Sequence, residues 1–164
     1  MIRAILAFLL SGVALVADAA WPDVEFSEVR AYSWPTVHHE LDDTGAAHVI
    51  LPGIIIRPDV INKQGAPLTS EQVVRLLAAA AAKIPPHDIR PMHYPHNAFV
   101  FYNTAKKPVA FIEVSFCRLR HTAAPKGISM RPDLLAFATL FDELKLPMGE
   151  FADLAAYKKF HRDQ

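Results

Sequence analysis

The stretch His93–His121, HYPHNAFVFYNTAKKPVAFIEVSFCRLRH, decides how the rest of the chain is read. Ala98–Tyr102 and Val109–Phe116 are rich in aromatic and β-branched residues, the composition that suits a pleated, buried surface. Between them Asn103–Pro108 makes a polar turn. Pro108 lacks an amide hydrogen and so belongs at the start of the second strand. The pair reads as a β-hairpin. Side chains alternate across a strand, so Ala110, Ile112, Val114 and Phe116 form one wholly apolar face aimed at a core. Val109, Phe111, Glu113, Ser115 and Cys117 form the other face. It turns polar towards its C-terminal end and is there either solvated or part of a pocket.

Upstream, the first residues have the pattern of a leader. Arg3 is followed by an apolar run, Ala4–Ala17, and Ala17-Asp18-Ala19 fits the small-x-small cleavage pattern. The run is shorter than the roughly 20 apolar residues a membrane-crossing helix needs. The expectation is a signal peptide over 1–19, cut after Ala19 or Ala20, and one domain over 20–164 located in the periplasm or secreted. Taking 20 residues from 164 leaves a chain of ordinary single-domain length.

Charge excludes some classes of partner. The chain has 17 basic and 17 acidic residues, mixed along its length, so it has no electrostatic footprint for nucleic acid or an anionic membrane surface. No membrane anchoring is expected after cleavage. With 52% hydrophobic residues a core is affordable and disorder is not expected. Cys117 is the single cysteine, so no internal disulfide forms. The thiol is buried, reactive, a ligand or bonded to another chain.

Other segments arrange themselves around the hairpin. Val29–Val37 reads as a strand ending near Pro35, and Ala47–Ile56 as a second, broken by Pro52-Gly53. Together they suggest a second hairpin. Trp21–Glu28 suits either helix or strand. Thr69, with Gln72 three residues on and Leu68 and Val73 flanking, predicts a capped helix running to about Ile84, where Pro85-Pro86 stops it. Arg118–Met130 reads as loop. Pro132 and Asp133 open a helix with Leu134, Phe137, Ala138, Phe141 and Leu144 at helical spacing, and a shorter helix follows from Glu150 to about His161.

The chain carries no P-loop, no His-Glu-x-x-His and no Gly-x-Ser-x-Gly elbow. The best constellation is at the open end of the hairpin: His93 and His96 before the first strand, Cys117 and His121 after the second, which antiparallel pairing draws together. Imidazole and thiolate are ligands for Zn²⁺ or copper. Cys117 with His121 or His96 also has the form of a nucleophile and its base. Hydrogen-bonding loop histidines are commoner than either. Glu113 is placed to orient a histidine, although a solvated strand-face position is the simpler expectation. His38-His39-Glu40 forms a second polar cluster in a loop.

Three stretches carry a resemblance: Val60–Leu77, Pro95-His96-Asn97-Ala98-Phe99-Val100-Phe101-Tyr102, and Lys107-Pro108-Val109-Ala110-Phe111-Ile112-Glu113-Val114. In this order the chain resembles, over Val60–Leu119, a loose group of small exported bacterial α+β proteins of unknown function. That group has a cysteine before the Pro-His pair and a Cys-Phe-x-Cys exit. Here Met92 and Ser115 stand in two of those places, so any bridge or metal held by the group's cysteines is lost in this chain. The resemblance implies export and the hairpin domain, and no activity.

The sequence therefore predicts a single α+β domain, an antiparallel sheet built from two hairpins with helices on one face, in the order β-β-α-β-β-α-α. The expected function is non-catalytic binding of an unknown protein or small-molecule partner. No catalytic residue and no resident cofactor is assigned, and His93, His96, Glu113, Cys117 and His121 are the candidate binding residues. Two alternatives stand beside it: a zinc- or copper-binding protein using the hairpin ends, and a small thiol-dependent enzyme.

Overall fold

The computed structural model describes residues 21–35, 47–85 and 93–163. The expected signal segment, the His38–Glu40 cluster and Met92 lie outside them. The described chain is a single α+β domain with a five-stranded antiparallel sheet and three helices. Its elements in order are β1 (Glu28–Ser33), β2 (Ile50–Leu51), β3 (Ile55–Ile56), β4 (Ala66–Pro67) and α1 (Ser70–Ala81), then β5 (Asn97–Tyr102), β6 (Pro108–Ser115), β7 (Arg120–Ala124), α2 (Leu134–Glu143) and α3 (Leu154–Arg162). The sheet order is β4-β1-β5-β6-β7.

The hairpin of β5 and β6 forms as its composition dictates. Phe99 pairs with Ile112 and Ala98 with Glu113. The turn is closed by Asn103, whose carbonyl accepts from the Lys106 amide at 2.9 Å and whose side chain accepts from the Lys107 amide at 3.0 Å. Register then fixes the two faces. Val29, Ala31, Phe99, Phe101, Ala110, Ile112 and Val114 lie in one core with Leu76, Ala79 and Ala80 of α1, Phe137 and Phe141 of α2, and Tyr157 of α3. All three helices thus cover the same face, and Phe116 is buried with them from a 3₁₀ turn over Phe116–Arg118 rather than from the strand.

The opposite face is not left to solvent. Ala98 and Val100 pack there with Tyr32, Trp34, Val49, Ile50 and Val60, a second core under the segment 47–60. This segment is not the expected partner of the first strand. β1 pairs along its whole length with β5 and briefly with β4, whereas among the described residues β2 and β3 pair only with each other, around the turn at Pro52–Ile54. Gly53 takes a left-handed φ of +80° in that turn, which an L side chain rarely adopts. The apolar content of 47–56 reports burial on top of the sheet, and burial does not say which edge a strand joins.

Two further boundaries differ from expectation. Arg120–Ala124, within the expected loop, is the edge strand β7, paired with β6 from Ser115↔Arg120 to Phe111↔Ala124. Its polar residues suit an edge, where one side faces water. α3 starts at Leu154 rather than near Glu150, because Asp153 caps it, accepting from the Ala156 amide at 2.7 Å. Residues 21–27, open to either assignment, form no regular element. Trp21 and Phe26 instead pack edge-on against Phe101, at ring-centre distances of 5.3 and 5.0 Å.

α1 begins where its capping box predicts. The Gln72 amide donates to Thr69 Oγ1 at 3.2 Å and the Thr69 amide to Gln72 Oε1 at 3.0 Å. The helix ends at Ala81, earlier than Ile84, with Ala82 already extended at ψ 148°. Thr69→Ala removes one half of the box and is expected to lower stability by about 1 kcal/mol. Denaturant unfolding of the two proteins measures this, and an unchanged midpoint would contradict it.

Candidate functional site

The site grows from one side chain. Glu113 sits on β6, in a run that is otherwise apolar from Val109 to Val114. Contrary to the solvated position expected for it, Glu113 is fully buried, on the face covered by 47–60. A carboxylate taken out of water must be met by donors or give up its charge. Here four donors meet it. Oε1 accepts from the consecutive backbone amides of Val49 and Ile50 at 2.8 and 2.6 Å. Oε2 bonds His48 Nδ1 at 2.9 Å and accepts from Thr122 Oγ1 at 2.6 Å. Thr122 is opposite Glu113 in the β6–β7 register and so shares its face.

His93 completes the group. It is buried, and its Nε2 lies 3.9 Å from Glu113 Oε2, beyond hydrogen-bond distance. Neither ring nitrogen has a hydrogen-bond partner among the described residues. The His93 carbonyl accepts from the Ala47 amide at 2.8 Å, so the backbones that carry His93 and His48 are tied together. The two imidazole rings are 6.0 Å apart at their centres. Burial pushes the Glu113 carboxyl up, and the groups facing it, His93, Thr122, His48 and the Ile50 amide, more than reverse this. The carboxyl titrates below its ordinary value. At 3.9 Å His93 acts on it as a neighbouring polar ring rather than as a bonded donor.

The other expected site residues are dispersed. His121 pairs with Val114 and therefore lies on the helix-covered face, the opposite side of the sheet from Glu113. Burial, with His93 and Arg120 adding to it against a hydrogen bond to the Ser129 backbone, holds His121 down at about 4. His96 is buried at the start of β5, where its carbonyl accepts from the Trp34 amide at 2.8 Å. It packs so closely on Gly149 that a Cβ there would stand 3.1 Å from His96 Nδ1. Cys117 is a buried free thiol, 3.8 Å from Ser115 Oγ, and burial raises its pKa. Among the described residues no three His, Cys, Asp or Glu side chains are placed around a common point as metal ligands. Nor is any described helix long and apolar enough to cross a membrane.

Sequence reasoning missed His48 and Thr122. The available signal was the lone carboxylate inside an apolar strand, which requires buried donors from somewhere. Nothing local says that they come from residues more than 60 positions upstream and from the next strand.

Removing the carboxylate leaves two amides, a hydroxyl and an imidazole unanswered. Glu113→Ala is therefore expected to destabilise by about 3–5 kcal/mol, comparable to the core truncation Ile112→Ala at about 2–5 kcal/mol. The pH dependence has a definite sign. The folded carboxyl titrates below the ordinary carboxyl value of 4.5, so its contribution is complete above that value and is lost as pH falls through the lower, folded one. The stability gap between the wild type and Glu113→Gln, measured by denaturant unfolding, should shrink as the buffer is taken below pH 4.5. A gap that widens would reverse the assignment.

No protein-family model matches the chain, and no curated protein or solved structure matches it at a significant level.

Proposed function

We propose that this chain is an exported, periplasmic or secreted, binding or interaction protein that performs no chemistry of its own with the groups described. The observation that carries this reading is the saturation of Glu113. A carboxylate has about four acceptor positions, and here all four are occupied by donors from the protein itself. None is left to take a proton from a substrate. Cys117, the other candidate, is buried and held towards the neutral thiol, which is a poor nucleophile. Both groups have the surroundings of structural parts. A partner of protein or small-molecule kind meets the surface instead. The cleft beside β7 lined by Arg120, His121, Arg131 and the strongly exposed Met130 combines apolar and cationic character, as interaction surfaces do.

Titration with a thiol reagent tests the non-catalytic half of this reading. Cys117 should react slowly in the folded protein and rapidly once unfolded. Fast native reaction that persists well below pH 8, as a thiolate of depressed pKa shows, overturns it in favour of a thiol-dependent enzyme. The export half rests on the leader pattern. Intact mass of protein recovered from the producing cell should correspond to a chain starting at Ala20 or Trp21, and recovery of the uncut chain from the cytosol would contradict it.

A further inference from the structure

We propose that the free edge of β7 takes up an extended, acidic segment of a partner protein as an added strand, an inference that rests on the binding reading above and names the partner's chemistry. β7 is the last strand in the order β4-β1-β5-β6-β7, and among the described residues it pairs only with β6. A strand paired on one side points a row of amides and carbonyls away from the sheet, and such an edge is a template for another chain. The segment around it is cationic. From Arg118 to Arg131 the chain carries Arg118, Arg120, Lys126 and Arg131 and no aspartate or glutamate, although the whole chain balances 17 basic against 17 acidic residues. Arg120, Lys126 and Arg131 are exposed. Ion pairs of arginine and lysine are made elsewhere, by Arg30, Arg57, Arg75 and Lys106. Among the described residues these three cations have no carboxylate of their own.

The first two residues of β7 also border a cleft. Arg120, His121, Met130 and Arg131 line it together with Leu119 and Leu134, and Met130 is 90% exposed. Its volume of about 140 Å³ admits a side chain and falls short of the roughly 300–1,000 Å³ that hold a small molecule whole. In strand addition the main-chain hydrogen bonds supply affinity, and pockets for alternate side chains supply specificity. A glutamate or aspartate reaching this cleft meets two guanidiniums with no other anion, and its stem meets the apolar Met130. Hydrogen bonds between arginine and a carboxylate are roughly twice as strong as neutral ones. A nucleic acid would meet the same charge, but it has no peptide groups for the edge. Nor does any Phe, Tyr or Trp among the described residues line the cleft to stack a base. A second copy of this chain would set the cationic segment against itself, which like-charge repulsion opposes.

The test is fluorescence anisotropy of a labelled short peptide alternating valine and glutamate, titrated with the full chain. It should bind, and added salt should weaken it. Arg120→Glu and Arg131→Glu, both at exposed positions, should each weaken binding by about tenfold or more. Lys63→Glu, in the exposed loop before β4 at the opposite edge of the sheet, should leave it unchanged. The same peptide with every backbone amide N-methylated keeps its charge and loses its main-chain donors, and should bind about tenfold more weakly or worse. The proposal is overturned if the alternating peptide does not bind, if either charge reversal leaves its affinity unchanged, or if the N-methylated peptide binds as tightly. It is also overturned if single-stranded DNA of equal charge binds as tightly as the peptide, which would make the surface a general polyanion site. Should one charge reversal fail to fold, the other and the N-methylated peptide decide the matter without it. None of these variants touches Cys117, so the thiol titration above decides the non-catalytic reading separately, whichever way the peptide behaves.

Discussion

A carboxylate on an inner strand, cut off from water, is the constraint to which one whole side of this molecule responds. Desolvating a charge costs several kcal/mol even after the surroundings relax. That cost is offset only if donors arrive with good geometry. Glu113 receives two consecutive backbone amides, a threonine hydroxyl and a histidine. The two amides matter most for the architecture. Each is a backbone group that burial would otherwise leave without a partner, and each fixes a point of the 47–51 segment over the sheet. The requirement is mutual: the segment has amides to satisfy and the sheet has a charge to satisfy.

Once that segment is pinned, the second core follows. Val49 and Ile50 are carried onto Ala98 and Val100, and Tyr32, Trp34 and Val60 close around them. The sheet is then buried on both faces, helices on one side and a short hairpin with its flanking chain on the other. This explains why β5 is apolar almost throughout instead of alternating, and why Glu113 stands out as the exception in β6. It also places the chemistry-bearing groups. His48 arrives with the segment, and His93 arrives because its carbonyl takes the Ala47 amide. Cys117 and His121, though close to Glu113 in sequence, go to a 3₁₀ turn and to the other face.

The same arrangement bears on function. The polar group that holds the segment in place has its acceptor positions filled by the protein's own donors, and Cys117 is buried. His93 stands buried beside that group, with its Nε2 3.9 Å from Glu113 Oε2.

Several features were legible in the residues alone because their causes are local. The hairpin of β5 and β6 follows from alternation and a proline-bounded turn, and α1 follows from a threonine and a glutamine three positions apart. The apolar face of Ala110, Ile112 and Val114 follows from the two-residue period of a strand. The α+β class was readable from the mixture of these patterns. Tertiary structure alone decided the rest. β1 chooses β5 and not the nearer 47–56, because hydrophobic content drives burial without specifying a hydrogen-bonding partner. Arg120–Ala124 becomes a strand only because β6 offers it an open edge. Glu113 looks from sequence like an exposed residue on a half-polar face. Its burial, and the meeting with His48 and His93, depend on contacts spanning 20 to 65 residues, which no local period encodes.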